Sequence, residues 1–311
     1  MTRSNTATAP RPSLRARIRA GNERPVWMEK PKPATQVLKA LALIIICFLA
    51  IYPLFAVLAT SLSSQAEIAA NNGLVIFPKA PTLEAYRTIF AGGVVTEALV
   101  RSLLITAVGT TLSIVVTVAM AYGLTRRDLV GGKFFLMLAL FTMLFSPGII
   151  PSFLMVKELG LMNSYAALVL PTLMSAFNLV VVRSFFMNLP QELFEAAKID
   201  GAGDFRILVQ MVLPLSKGVI AVIGLFYGVG YWNAFFNAML YLDSDKWPLS
   251  MILRQYVLLG QPMGDAVAEI AVPSQAIQMA VVVVSLIPVV IIFPFLQKYF
   301  TKGVLTGAIK G

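Results

Sequence analysis

A short polar segment, Glu195–Ala202, stands out in an otherwise apolar sequence. It lies between two apolar stretches and combines two acidic residues with three alanines and a glycine. Small side chains of this kind form a knob that a groove on another protein can accept. The segment therefore predicts recognition by another protein. It also indicates that this other protein drives the chain, which has no active site of its own.

A second set of polar and aromatic residues lies inside the apolar stretches on either side of this segment. Amides and aromatic faces suit a sugar, because they bind its hydroxyls and its C–H surfaces within an apolar enclosure. Asn233 and Asn237 are four residues apart, so on one helix they share a face. The alternative is an aromatic belt at the outer interface, with amides that join helices. The candidate pathway residues are Asn178, Tyr227, Tyr231, Trp232, Asn233, Phe236 and Asn237.

Catalytic chemistry is disfavoured by what the sequence lacks. It contains no histidine, which excludes the His-Glu-x-x-His zinc motif and the Ser-His-Asp and Cys-His arrangements. No G-x-x-x-x-G-K-[ST] phosphate loop occurs, and the single cysteine, Cys47, cannot form a disulfide within the chain. We therefore expect no catalytic residue, cofactor or metal on this chain.

The composition is that of an integral membrane protein. The chain is 58% hydrophobic and 13% charged, with a mean hydropathy of +0.80, whereas a soluble domain carries about 25% charged residues. Much of the net charge of +10 precedes the first apolar stretch, as in a cytoplasmic tail that follows the positive-inside rule. No folded basic domain accompanies it, so nucleic-acid binding is not expected.

Six apolar segments are long enough to approach the ~20 residues that cross a bilayer. Placing both termini in the cytoplasm puts most Lys and Arg residues on that side. The fold class is therefore all-α and polytopic, with a basic, mostly disordered tail at 1–37, a transmembrane domain at 38–297 and a cytoplasmic tail at 298–311. The predicted spans are Leu38–Thr60, Ser102–Leu124, Phe134–Val156, Tyr165–Met187, Leu215–Ala238 and Ala276–Leu296.

The segment Glu195–Ala202 lies in a predicted cytoplasmic loop, 188–214, between the fourth and fifth spans. Pro190 suits the first turn of a helix, and Gly201 suits a left-handed stop before a second helix at Ala202–Val212. Phe194, Ala197 and Val209 are candidate contact or core positions. The alternative is an amphipathic loop that only joins two spans.

An exterior loop is predicted at 239–275, with a short helix near Leu249–Leu258. This loop either contacts an extracytoplasmic binding protein or is a solvated connector. The spans contain almost no charge, whereas ion-coupled carriers usually bury an ionisable group. An ion-coupled secondary carrier of a polar solute remains the alternative function, because Na⁺ can be bound at broken helices and five prolines lie in the spans. These are Pro53, Pro147, Pro151, Pro171 and Pro288.

Glu195-Ala196-Ala197, Gly201 and Leu213-Pro214 resemble the EAA loop of permease subunits in bacterial binding-protein-dependent ABC importers. The sequence Asp200-Gly201-Ala202 is similar to that found in the carbohydrate branch of this family, which includes the maltose permease subunits and the LplC/YtcP-like group. Tyr231-Trp232-Asn233 and the ending from Gln297 to Gly311 extend the resemblance. Leu208 departs from it, since many relatives place Phe there.

The resemblance implies a type I ABC importer permease fold in the bacterial inner membrane. The partners would be a second permease subunit, two ATPase subunits that bind ATP and Mg²⁺, and an extracytoplasmic solute-binding protein. The cargo would be a carbohydrate, and the surroundings membrane lipid. The C-terminal tail would run along the ATPase interface or anchor to lipid headgroups. The coupling residues would be Glu195, Ala196, Ala197, Asp200, Gly201 and Ala202.

Overall fold

A computed structural model describes residues 33–126, 128–259 and 275–308, and within these ranges the chain forms helices and no strand. Most of the predicted basic tail and residues 260–274 of the predicted exterior loop lie outside the described residues. Two of the helices include a short irregular part, a 3₁₀ turn at Leu170–Thr172 and a π turn at Leu208–Val212. The helices are α1 Pro33–Ser61, α2 Gln65–Ala70, α3 Glu84–Ala91, α4 Val94–Gly123, α5 Gly132–Leu144, α6 Ile149–Glu158, α7 Ala166–Thr172, α8 Ala176–Met187, α9 Gln191–Ile199, α10 Asp204–Leu215, α11 Lys217–Trp232, α12 Phe235–Tyr241, α13 Leu249–Arg254 and α14 Gln275–Ala308.

The chain divides into two compact units, residues 1–54 and 55–311. In the first unit the described residues form the amino-terminal part of α1, where the rings of Phe48 and Tyr52 lie 5.8 Å apart. The helix begins at Pro33, so residues 33–37, assigned from sequence to the tail, are helical. All the remaining helices lie in the second unit.

Three described helices are long and apolar enough to cross a membrane: α1, α4 and the Gln275–Pro294 part of α14. Two bent pairs raise this number to five if each pair is one span: α7 with α8, bent by 51°, and α10 with α11, bent by 83°. The α-helical class and its apolar helices agree with the sequence prediction. Several predicted spans are nevertheless interrupted.

The interruptions correct the predicted span boundaries. The segment predicted as Phe134–Val156 is two helices, because α5 ends before Pro147 and Gly148, and Gly148 has φ of 82°. The segment predicted as Leu215–Ala238 is also two helices, since α11 ends at Trp232 and α12 begins at Phe235. The short helix predicted near Leu249–Leu258 is present in its first part as α13, which continues as a π turn at Gln255–Leu259.

Helix α4 is the centre of the larger hydrophobic cluster, because it packs against both α8 and α11. Two buried hydrogen bonds join α4 to α11: Ser113 Oγ lies 2.8 Å from Tyr231 Oη, and Thr117 Oγ1 lies 2.7 Å from Tyr227 Oη. Gly109 lets the helices approach, since a Cβ there would lie 2.8 Å from the Tyr231 ring. A smaller cluster joins α3, α13 and α14.

Candidate docking loop and cavity

The loop between α8 and α11 has the turn that its sequence predicts. Helix α9 follows Pro190, and Gly201 adopts φ of 75° just beyond its end. The Gly201 N–H donates to the Lys198 carbonyl at 3.0 Å, and the Ala202 N–H donates to the Ala197 carbonyl at 2.9 Å. These two bonds are a Schellman motif, which requires the left-handed residue. The second helix begins at Asp204, two residues after its predicted start.

The predicted coupling residues divide between the two faces of this loop. Ala197 and Ala202 are half-buried and pack against the hydrophobic cluster, as Phe194 does. The remaining ones lie on the exposed face: Glu195, Ala196, Asp200 and Gly201. One side of the loop is therefore held by the helix bundle while the other is open to a partner.

Two large apolar side chains on the open face were not selected from the sequence. Ile199 is 86% exposed and Phe205 is 80% exposed, on either side of the Gly201 turn. The sequence does contain a signal for them, because a large apolar residue next to a polar turn can indicate a contact with another protein. Val209, which was selected, instead lines a cavity beside α4 and α11. We define the docking face as Glu195, Ala196, Ile199, Asp200 and Phe205.

The second helix of the loop is attached to the end of α4. The Arg126 guanidinium forms an ion pair with the Asp204 carboxylate and donates to the Tyr122 hydroxyl. The Tyr122 hydroxyl in turn donates to the Asp204 carbonyl at 3.2 Å. Arg183 of α8 donates to the Leu124 carbonyl at 3.0 Å, so α4, α8 and α10 meet at this corner.

A cavity of about 420 Å³ opens where two helix interruptions meet, the one between α7 and α8 and the one between α11 and α12. It brings together four of the seven predicted pathway residues: Asn178, Tyr227, Tyr231 and Asn237. Irregular backbone at membrane depth is tolerated where it lines a cavity, and broken helices form binding sites in transporters.

The polar groups of this cavity differ in whether the protein already satisfies them. The Tyr227 hydroxyl accepts from the Ser175 N–H at 2.9 Å, in addition to its bond with Thr117. The Asn178 residue is only 4% exposed, yet its side-chain amide has no hydrogen-bond partner among the described residues. An amide that lines a cavity and makes no bond to the protein is available to a polar ligand or water there.

The other three predicted pathway residues lie elsewhere. Trp232 lines a larger cavity of about 990 Å³ between α4, α11 and α14. Asn233 is exposed and donates to the Val229 carbonyl of its own helix at 3.0 Å. The predicted shared face of Asn233 and Asn237 is wrong, because the helix ends between them. Phe236 is exposed beside Phe235, with ring centroids 6.4 Å apart.

Comparison with known proteins places this architecture among transport proteins. The family described as "Binding-protein-dependent transport system inner membrane component" matches residues 109–306. The polygalacturonan/rhamnogalacturonan transport system permease protein YtcP of Bacillus subtilis (strain 168) is 44% identical over 274 residues, which cover 86% of this chain and 96% of that protein. Protein LplC of the same strain is 44% identical over 265 residues, covering 84% and 90%.

A solved structure gives the same result at the level of the fold. One chain of a bacterial ABC transporter involved in the import of the acidic polysaccharide alginate superposes with a TM-score of 0.80 at 28% sequence identity. The match covers 88% of the present chain and 100% of the other.

Proposed function

The chain belongs to the binding-protein-dependent transport system inner membrane components, the permease subunits of ABC importers, and we propose that it imports an oligosaccharide. It is an integral protein of the bacterial inner membrane with a type I permease fold. The observation that supports the cargo is the cavity lined by Asn178 and Asn237, whose amides suit sugar hydroxyls. The relatives give no support to an ion-coupled carrier.

The power for import comes, in this proposal, from a separate ATPase that receives the docking face. Ile199 and Phe205 would supply apolar anchors, while Ala196 would let the helix seat closely. Glu195 and Asp200 would meet cationic groups on the ATPase. Two ATPase subunits would bind ATP and Mg²⁺ and hydrolyse the nucleotide, since this sequence has no phosphate loop of the G-x-x-x-x-G-K-[ST] type.

Three further parts complete the proposed importer: a second permease subunit, an extracytoplasmic solute-binding protein and the carbohydrate itself. Relatives are named for arabinooligosaccharide transport as well as for polygalacturonan, and the solved neighbour belongs to an alginate importer. Both termini and the docking face would lie in the cytoplasm, as the distribution of Lys and Arg predicts. Closure of the ATPase dimer would then move the permease pair between inward and outward access.

The test of this function is copurification. The tagged chain is coexpressed with its genomic neighbours, extracted in mild detergent and analysed by mass spectrometry. We expect a second permease and an ATPase bearing a phosphate loop to be recovered with it. Sugar uptake by cells in which no ATPase copurifies would contradict the proposal.

Replacing both apolar anchors, Ile199→Ser with Phe205→Ser, should reduce recovery of the ATPase by at least tenfold. Burial of one large apolar side chain stabilises a contact by about 1.5–3 kcal/mol, and about 1.4 kcal/mol corresponds to that factor. The measurement is the ratio of ATPase to permease in the pull-down at equal membrane expression. The matched control is Leu74→Ser with Phe77→Ser, an exposed pair between α2 and α3. Equal losses in both variants would refute a specific docking role.

Removing the two amides that line the cavity, Asn178→Ala with Asn237→Ala, should reduce sugar uptake about tenfold and leave ATPase recovery unchanged. Each lost hydrogen bond to a neutral hydroxyl costs about 0.5–1.5 kcal/mol. Uptake of labelled trigalacturonate and arabinotriose by whole cells measures the effect. Asn233→Ala is the control, because that amide bonds to its own helix. If the double variant and the control transport equally, the cavity is not part of the pathway.

A further inference from the structure

The docking loop is joined to the end of α4 by an ion pair, hydrogen bonds and a cation–π contact. Arg126 contacts Asp204 through its guanidinium and also lies over the Tyr122 ring, 4.6 Å from the centroid. Tyr122 is 8% exposed and bonds to the same Asp204 through its hydroxyl. Three groups therefore meet at one point, and two of them lie at the end of a single long helix.

The same half of that helix also reaches the cavity. Ser113 and Thr117 of α4 bond to Tyr231 and Tyr227, whose side chains line the cavity beside the Asn178 amide. Helix α4 is continuous from Val94 to Gly123, without proline inside it. Sharp bends in helices have identifiable causes such as proline, and the absence of one suits α4 to transmit a displacement along its length.

We propose that Arg126 is a positioning residue that fastens the docking loop to α4, so that displacement of the loop by an ATPase moves the cavity wall. This inference rests on the function proposed above. The path runs from Asp204 through Arg126 and Tyr122 to α4, and then through its hydroxyls to Tyr227 and Tyr231. In this proposal the bonds of the corner transmit the displacement of the loop to α4.

The strength of the link follows from its exposure. The Arg126 side chain is 24% exposed and that of Asp204 is 68% exposed, so solvent screens the pair on one side. Exposed pairs contribute up to about 1 kcal/mol, which is about fivefold in an equilibrium. Helix α4 contains an ion pair of similar exposure that lies away from the loop: Arg101 with Glu97 at 2.6 Å, with side-chain exposures of 26% and 66%.

A cysteine reporter in the cavity tests the link in the purified complex of permease and ATPase. In a Cys47→Ser background, Gly230→Cys places a thiol in the cavity, where no atom lies within 4 Å of the added Cβ. The rate of its alkylation by N-ethylmaleimide is measured with Mg-ATP and with Mg-ADP. The variants are Arg126→Gln, Asp204→Asn, both together, and Arg101→Gln as the control.

We expect the alkylation rate to change with ATP in the reporter background and in the Arg101→Gln control. Arg126→Gln and Asp204→Asn should each reduce that change about fivefold, and the double variant should lose no more than either single one, because the two residues act as a pair. ATPase recovery should stay equal throughout. No ATP-dependent change in the reporter background, an undiminished change in Arg126→Gln, or additive losses would each overturn the proposal. Absence of any copurified ATPase would instead refute the proposed function.

Discussion

A chain that carries Glu195→Arg and Gly201→Val should reach the membrane in normal amounts and lose its ATPase in a detergent pull-down. The first change reverses the charge of an exposed side chain on the docking face, and an unfavourable charge contact costs several kcal/mol. The second forces a β-branched residue into φ of 75°, which costs about 1–2 kcal/mol. Together they alter both the charge and the shape of the surface.

The strain at Gly201 comes from its backbone alone, because no atom lies within 4 Å of a Cβ built there. Gly203 provides the matched control: it has the same open surroundings but adopts φ of −71° and ψ of 163°, which valine accepts. Gly203→Val should therefore recover the ATPase normally. If the double variant still recovers it at the wild-type ratio, this loop is not the principal dock.

Gly109→Ala should reduce both the thermal stability of the detergent-solubilised chain and its uptake of sugar. The added methyl would lie 2.8 Å from a ring carbon of Tyr231, a buried side chain held by a bond to Ser113. Packing of this density does not absorb the atom without moving the ring, and such overpacking costs about 1–3 kcal/mol. The displaced ring lines the cavity, so transport should fall with stability.

Gly123→Ala separates this effect from the general consequences of replacing a glycine in α4. No atom lies within 4 Å of a Cβ at Gly123, and alanine is favoured over glycine in helices. Its melting temperature, followed by scanning fluorimetry, should equal or exceed that of the wild type. An unchanged melting temperature in Gly109→Ala would contradict the close approach of α4 and α11.

The docking loop was the most predictable part of the molecule. Its turn depends on local chemistry: Pro190 before the first helix and Gly201 after it are signals that act within a few residues. The exposure of Ile199 and Phe205 was not predictable, because it depends on which loop face the bundle covers. The ion pair of Arg126 was not predictable either, because its partner Asp204 is distant in sequence.

The cavity was predicted only in part. Asn178, Tyr227, Tyr231 and Asn237 do lie together, but Asn233 was grouped with them by assuming one continuous helix. The sequence between Trp232 and Phe235 does not predict a helix break, because it contains no proline or glycine. The break between α5 and α6 contains Pro147 and Gly148, and both residue types favour a helix break. The orientation in the membrane and the roles of both tails stay predictions.

The turn at Gly201 has a consequence for how such importers diversify. Its shape is closed by bonds among residues 197–202, independently of the helices that line the cavity. If the cavity binds the cargo as proposed, mutations in α8, α11 and α12 that alter its lining would leave the proposed docking face unchanged. Related permeases could then change their substrate specificity during evolution while they continue to share one ATPase.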